Sequence, residues 1–118
     1  MKAGDIRTAN DYLDAAVIFQ HGPSLADTRL AMALATLSHR LDPSNQQAGM
    51  LLAQAWDRML ERMGRPQWYG TQYVRANTHA PWRLYRVDPT AVTDKQRKAL
   101  GLPTLSQARA RVRSLNGH

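Results

Sequence analysis

The stretch Leu30-Ala31-Met32-Ala33-Leu34-Ala35-Thr36-Leu37-Ser38-His39-Arg40-Leu41-Asp42-Pro43-Ser44-Asn45 decides the fold class. Leu30, Ala33, Leu34 and Leu37 recur at the spacing of one helix face, with Leu41 one turn further on. The segment therefore reads as an amphipathic helix from about Ser24 to Leu41. Asp42-Pro43 then punctuates the chain, since Asp caps a following helix and Pro suits its first turn. A further helix extends to about Met63, with Leu51, Leu52, Ala55, Met59 and Met63 as its stripe and Trp56 beside it. Gly64 stops it.

Working outward, Thr8 and Asp11 form an approximate capping box for a first helix. Its apolar positions are Tyr12, Ala15, Ala16 and Phe19, and it ends at Gly22-Pro23, glycine supplying a left-handed residue. Beyond Gly64 the helical period is lost. Pro66, Gly70, Asn77, Pro81 and Pro89 interrupt a segment rich in aromatic residues: Trp68, Tyr69, Tyr73, Trp82 and Tyr85. Within it, Gln72 to Arg75 and Arg83 to Val87 can pair as short strands around Ala76-Asn77-Thr78-His79. Two capping boxes, Thr93 with Gln96 and Thr104 with Gln107, open two short closing helices, separated by Gly101 and Pro103. Leu115 to His118 are expected to fray. The expectation is a mainly α chain: a small helical bundle with an irregular aromatic loop and a short β-hairpin. One domain spans 1–118, divided into a helical core (8–63), the aromatic loop (64–92) and basic C-terminal helices (93–118).

Composition narrows the function classes. The 118 residues are 43% hydrophobic, enough for one core. No apolar run approaches the ~20 residues that span a bilayer, and none follows Lys2 as a secretory signal would require. A cytoplasmic protein without a membrane partner is expected. Cysteine is absent, which excludes disulfides, thiolate nucleophiles and cysteine-ligated metals. His21, His39, His79 and His118 form no i, i+4 pair and accompany no carboxylate cluster, so no metal is assigned. No P-loop, dinucleotide turn or nucleophile elbow is present, and no cofactor is assigned.

The net charge is +7, from 16 Lys and Arg against 9 Asp and Glu. From Thr93 onward Lys95, Arg97, Lys98, Arg109, Arg111 and Arg113 face Asp94 alone. Such a tail attracts an acidic protein partner, or simply forms a solvated helix face. Nucleic acid is the less favoured partner, because aromatic residues and arginines are not interleaved in the tail.

Two resemblances follow from strings already quoted. Ala33-Leu34-Ala35, Leu41-Asp42-Pro43-Ser44-Asn45 and then Ala48, Leu51 and Ala53 resemble the joint of a tetratricopeptide repeat, and imply a helical hairpin. Ile18-Phe19-Gln20-His21-Gly22, Asp57-Arg58, Gly64-Arg65-Pro66-Gln67-Trp68-Tyr69-Gly70-Thr71-Gln72, and Val92-Thr93-Asp94-Lys95-Gln96-Arg97 with Leu100-Gly101-Leu102-Pro103 resemble a widespread bacterial family of small domains with no established reaction. The Gly-x-Pro-Gln-x-Tyr-Gly-Thr-Gln string is its specific part. The resemblance implies where a site lies and adds little chemistry.

The residue types in that string support a polar pocket for a small polar molecule or a peptide. Gln67, Thr71 and Gln72 offer uncharged donors and acceptors, and Gly70 permits close backbone approach. Tyr69 adds a phenol. Arg58 brings a planar fork for a carboxylate or phosphate. His21 is the proton-transfer candidate, oriented by Asp57 or by Asp14. Catalytic candidates are thus His21, Asp57, Arg58 and Tyr69; ligand-binding candidates are Gln67, Gly70, Thr71 and Gln72. Each has a plainer role as well. Asp57 and Arg58 can tie the third helix to the loop, Gln67 and Gln72 can satisfy loop backbone, and His21 can complement a helix C-terminus. The competing function is a protein-interaction module using the hairpin or the basic tail.

Overall fold

A computed structural model describes residues 8–117. Five helices, α1 (Ala9–Gln20), α2 (Leu25–Leu41), α3 (Gln46–Arg62), α4 (Asp94–Ala99) and α5 (Leu105–Leu115), accompany two short strands, β1 (Tyr73–Val74) and β2 (Arg83–Leu84). The strands pair antiparallel, Tyr73 opposite Leu84 and Val74 opposite Arg83. The molecule is the expected mainly helical bundle with a short β-hairpin. No helix among the described residues is long and apolar enough to cross a membrane.

Helix starts follow local chemistry closely. Thr8, Ser24, Thr93 and Thr104 each accept from the backbone three residues on, and Asp11, Asp27, Gln96 and Gln107 return the bond. The reciprocal bonds satisfy amides that a helix cannot. Two turns differ from expectation. Asp42 closes α2, and the cap of α3 is Asn45, whose Oδ1 accepts from Gln47 and Ala48. Gly22 is not left-handed: among the described residues the glycines with positive φ are Gly64, Gly70, Gly101 and Gly117. Its need is space, because a Cβ there would lie 2.5 Å from Asp27.

α1, α2 and α3 run up, down and up. Ser38 Oγ donates to the Ala9 carbonyl at 2.7 Å, joining the end of α2 to the start of α1. At the other end Arg62 reaches from α3 to the carbonyls of Gly22 (3.0 Å) and Ser24 (2.7 Å), and to the Thr28 hydroxyl. The core between them is built from Leu13, Ala16, Leu34, Ala35, Ala48 and Leu51. Its many alanines let the helices approach closely.

The buried face of α2 is not the leucine-rich stripe expected. Thr28, Ala31, Leu34, Ala35 and Ser38 point inward, whereas Leu30, Leu37 and Leu41 are 41%, 42% and 57% exposed. Small inward residues suit a helix packed between two neighbours, and Thr28 and Ser38 find hydrogen-bond partners there. The leucines are left on the outer side. Similarly, Met63 is 39% exposed, while α3 buries residues on two sides because the aromatic segment covers it from behind.

The end of the chain is tied down. Asn116 Oδ1 accepts from the Trp82 amide (2.7 Å) and Asn116 Nδ2 donates to the Trp82 carbonyl (3.0 Å). This two-point clasp holds the end of α5 against the hairpin, contrary to the fraying expected from Leu115 on; His118 lies outside the described residues.

Candidate functional site

Two neighbouring regions contain the residues singled out by sequence, and they differ in what their polar groups do. The first is the loop from Gln67 to Gln72. Asp57, fully buried on α3, accepts from the backbone amides of Trp68 (2.8 Å), Tyr69 (3.0 Å) and Thr71 (3.1 Å) and from the Thr71 hydroxyl (2.7 Å). Burial pushes its carboxyl above the usual carboxylate range, while these four bonds pull the other way. From the opposite side Arg97, 2% exposed, donates to the carbonyls of Tyr69 (3.3 Å) and Trp68 (2.9 Å) and pairs with Asp94 at 3.0 Å. A carboxylate thus takes the amides, and a guanidinium the carbonyls, of Trp68 and Tyr69.

Gln67 completes the brace. With no exposed surface, it donates to the carbonyls of Gln72 (3.0 Å) and Tyr85 (2.7 Å) and accepts from the Gln72 amide (2.9 Å). Its amide group does the work of a missing strand neighbour. Gly70 has φ +80°, and a Cβ there would lie 3.4 Å from Leu105 and 3.7 Å from Ala108 of α5. Those are ordinary contacts, so it is the left-handed turn that favours glycine there. Tyr69 is half-buried; burial raises its phenol pKa, the Asp57 charge adds to this, and Arg97 opposes it.

The second region is a cavity of about 610 Å³ between α1, α3, the hairpin and the end of α5. Gln20 and His21 come from α1, Gln54 and Arg58 from α3, and Thr71 and Gln72 from the loop. Val17, Met50, Leu51, Trp82 and Leu115 supply apolar wall. Trp82 is itself backed by Arg75, whose guanidinium lies 4.2 Å from its ring centre. No carboxylate lines this cavity among the described residues.

Of the expected site residues, the structure brings His21, Arg58, Thr71 and Gln72 to the cavity. Asp57, Gln67, Tyr69 and Gly70 do not line it. Asp57 spends both oxygens on the loop and does not orient His21. Thr71 and Gln72 stand between the two regions: the Gln72 side-chain amide donates to the Thr71 hydroxyl (3.1 Å) and the Gln54 carbonyl (3.4 Å).

Two atoms in the cavity wall are unspent. Arg58 Nε and Gln20 Oε1 are buried and have no hydrogen-bond partner. Native proteins rarely leave such groups unmet, because each costs about 1–3 kcal/mol. Gln20 was legible as an anomaly: with Leu13 and Ala16 it occupies the inward stripe of α1, where a glutamine, only 5% exposed, is out of place. Arg97 carried no such signal, since it sits in a run of basic residues and is buried only by the fold. No protein-family model matches this chain, and no curated protein or solved structure matches it significantly.

Proposed function

We propose that this protein binds a small polar, anionic molecule in the cavity between α1, α3 and the hairpin. The supporting observation is that Arg58 Nε and Gln20 Oε1 lie buried without partners in a wall that holds no carboxylate among the described residues. A guanidinium keeps its charge at any physiological pH, and its planar fork suits an anion with two coplanar oxygens. A cavity of about 610 Å³ is of the size that holds metabolites. His21, exposed at the rim and following the last turn of α1, adds a proton-transfer group if the bound molecule is also converted.

A thermal-shift screen of small carboxylates, phosphates and short peptides tests this reading. A true ligand at about 100 times its Kd stabilises the fold by about 2.7 kcal/mol, and that stabilisation disappears in Arg58→Met. A screen in which no compound shifts the wild type, or in which every shift survives Arg58→Met, counts against it.

The alternative, a protein-interaction module, draws on the outer face of α2. Leu30, Leu37 and Leu41 are exposed there in one row, and self-association through that row would bury them. Sedimentation at rising concentration checks it: a monomer throughout, unchanged by Leu37→Gln, speaks against pairing by this face.

A further inference from the structure

We infer that the seam between the hairpin and α5 binds single-stranded nucleic acid, a second activity separate from the cavity reading.

Charge is divided unevenly between the two halves of the chain. Residues 1–63 hold six Lys and Arg against seven Asp and Glu, whereas residues 64–118 hold ten against two. Both carboxylates of the second half are engaged locally. Asp88 accepts from the Thr90 amide (2.9 Å) and hydroxyl (2.7 Å). Asp94 accepts from Arg97 (3.0 Å) and from the Leu105 amide (2.9 Å). Arg75, Arg83, Arg109, Arg111 and Arg113 are exposed, and no carboxylate among the described residues pairs with any of them. Unneutralised arginines gathered in one half of a small chain are the electrostatic footprint of a polyanionic partner.

The fold supplies what the sequence of the tail lacks. Aromatic residues and arginines are apart in sequence, yet they meet across the seam. Tyr73 pairs with Leu84 and Val74 with Arg83, so Tyr73, Arg75, Trp82 and Leu84 share one face of the hairpin. That face meets α5: the Tyr73 hydroxyl donates to the Ala108 carbonyl at 2.9 Å, and Asn116 clasps the Trp82 backbone. Here the Arg111 guanidinium lies 5.7 Å from the Tyr73 ring centre, and that of Arg75 lies 4.2 Å from the Trp82 ring centre. Arg75 is held further by its bond to the Thr78 carbonyl (3.2 Å). Tyr73 and Arg75 are two residues apart along the strand direction, about 7 Å. Two guanidinium–aromatic pairs thus follow one another along the seam. Arg109 and Arg113, one turn apart on the exposed side of α5, extend the cationic track.

The stacked pairs select the partner. A guanidinium resting on a ring offers N–H groups at its edge to phosphate and its open face to an unpaired base. A duplex keeps its base faces inside its own stack, and an acidic peptide has none. Either would use the charge and leave the planes idle. A single strand uses both.

Fluorescence anisotropy of the full chain with labelled single-stranded RNA and DNA of about 20 nucleotides, longer than one site, tests this. The matching duplex and poly-glutamate serve as competitors. Micromolar binding is expected, with log affinity falling against log salt at a slope of about −3, as four arginines on phosphates require. Arg75→Gln with Arg111→Gln should weaken binding about tenfold or more and reduce the slope by about 1.4. Arg29→Gln with Arg40→Gln on α2 removes the same charge away from the seam, and should leave affinity within about twofold at about 0.15 M salt. Arg75→Lys with Arg111→Lys keeps the charge without the planes: the slope should hold while affinity falls about threefold or more. All of these side chains are exposed, so the variants should melt as the wild type does in circular dichroism. Absence of binding at about 100 μM protein and about 0.05 M salt overturns the inference. So does a duplex or poly-glutamate that competes as well as a single strand, an equal loss from the α2 and seam pairs, or an affinity unmoved by the lysine pair. Arg58→Met should not alter nucleic-acid affinity, so this test and the metabolite screen fail separately.

Discussion

The loop Gln67–Gln72 and the cavity beside it are built from the same kinds of residue, and they use them oppositely. In the loop, Asp57, Arg97 and Gln67 together satisfy successive backbone groups, and the polar side chains are consumed by architecture. In the cavity, Arg58 and Gln20 hold polar atoms that nothing in the described chain meets. Asp57 and Arg58 are adjacent in sequence, yet α3 turns by about 100° per residue, which sends one into the loop and the other into the cavity. A binding surface needs both. The braced loop is scaffolding, and Arg58, half-buried in the cavity wall, is the residue on which the proposed binding turns.

That contrast predicts an ordered series of stability effects. The largest belongs to Asp57→Asn, which replaces one of two accepting oxygens by an NH2 group facing the loop's N–H donors and should cost about 3 kcal/mol or more in urea unfolding. A loss below about 1 kcal/mol would mean that the carboxylate is not the loop's anchor. Arg97→Met should follow at about 2 kcal/mol, because it leaves the Trp68 and Tyr69 carbonyls buried and unpaired. In the double variant the two losses should fall short of additivity, since both residues hold the Trp68–Tyr69 peptide unit. Gly70→Ala forces a side chain into a left-handed conformation against Leu105, and should lower stability by about 1–2 kcal/mol in the same measurement. The smallest effect is the sharpest test. Arg58→Met removes an unpartnered buried N–H and should cause no loss of unfolding stability, while ligand-induced stabilisation is lost. If Arg58→Met instead destabilised the fold as much as Arg97→Met, the division between scaffold and site would collapse.

Much of the candidate site was visible in the string Gln67-Trp68-Tyr69-Gly70-Thr71-Gln72, although its meaning shifted. Concentrating amides, hydroxyls and a glycine in one loop marked it as special. It did not separate groups that brace a backbone from groups that await a ligand, because the two roles demand the same donors and acceptors. Gln67 and Gln72 are the same residue type five positions apart. The first is wholly enclosed by carbonyls of its own loop and hairpin, and the second reaches the cavity.

Local chemistry was enough to mark where most of the helices begin. Capping boxes, prolines and apolar periods act within a few residues, so Thr8, Thr93 and Thr104 announce their helices whatever the rest of the chain does. Only the tertiary structure decided which face of each helix is buried and which polar groups are spent. Leu30, Leu37 and Leu41 fit an inward stripe, but the close packing of α1 and α3 admits Ala31, Ala35 and Ser38 instead. Arg97, one cation in a basic run, is buried because the aromatic loop folds over it. Burial and the pairing of distant groups depend on elements far apart in the chain arriving at one place, and no local pattern encodes that arrival.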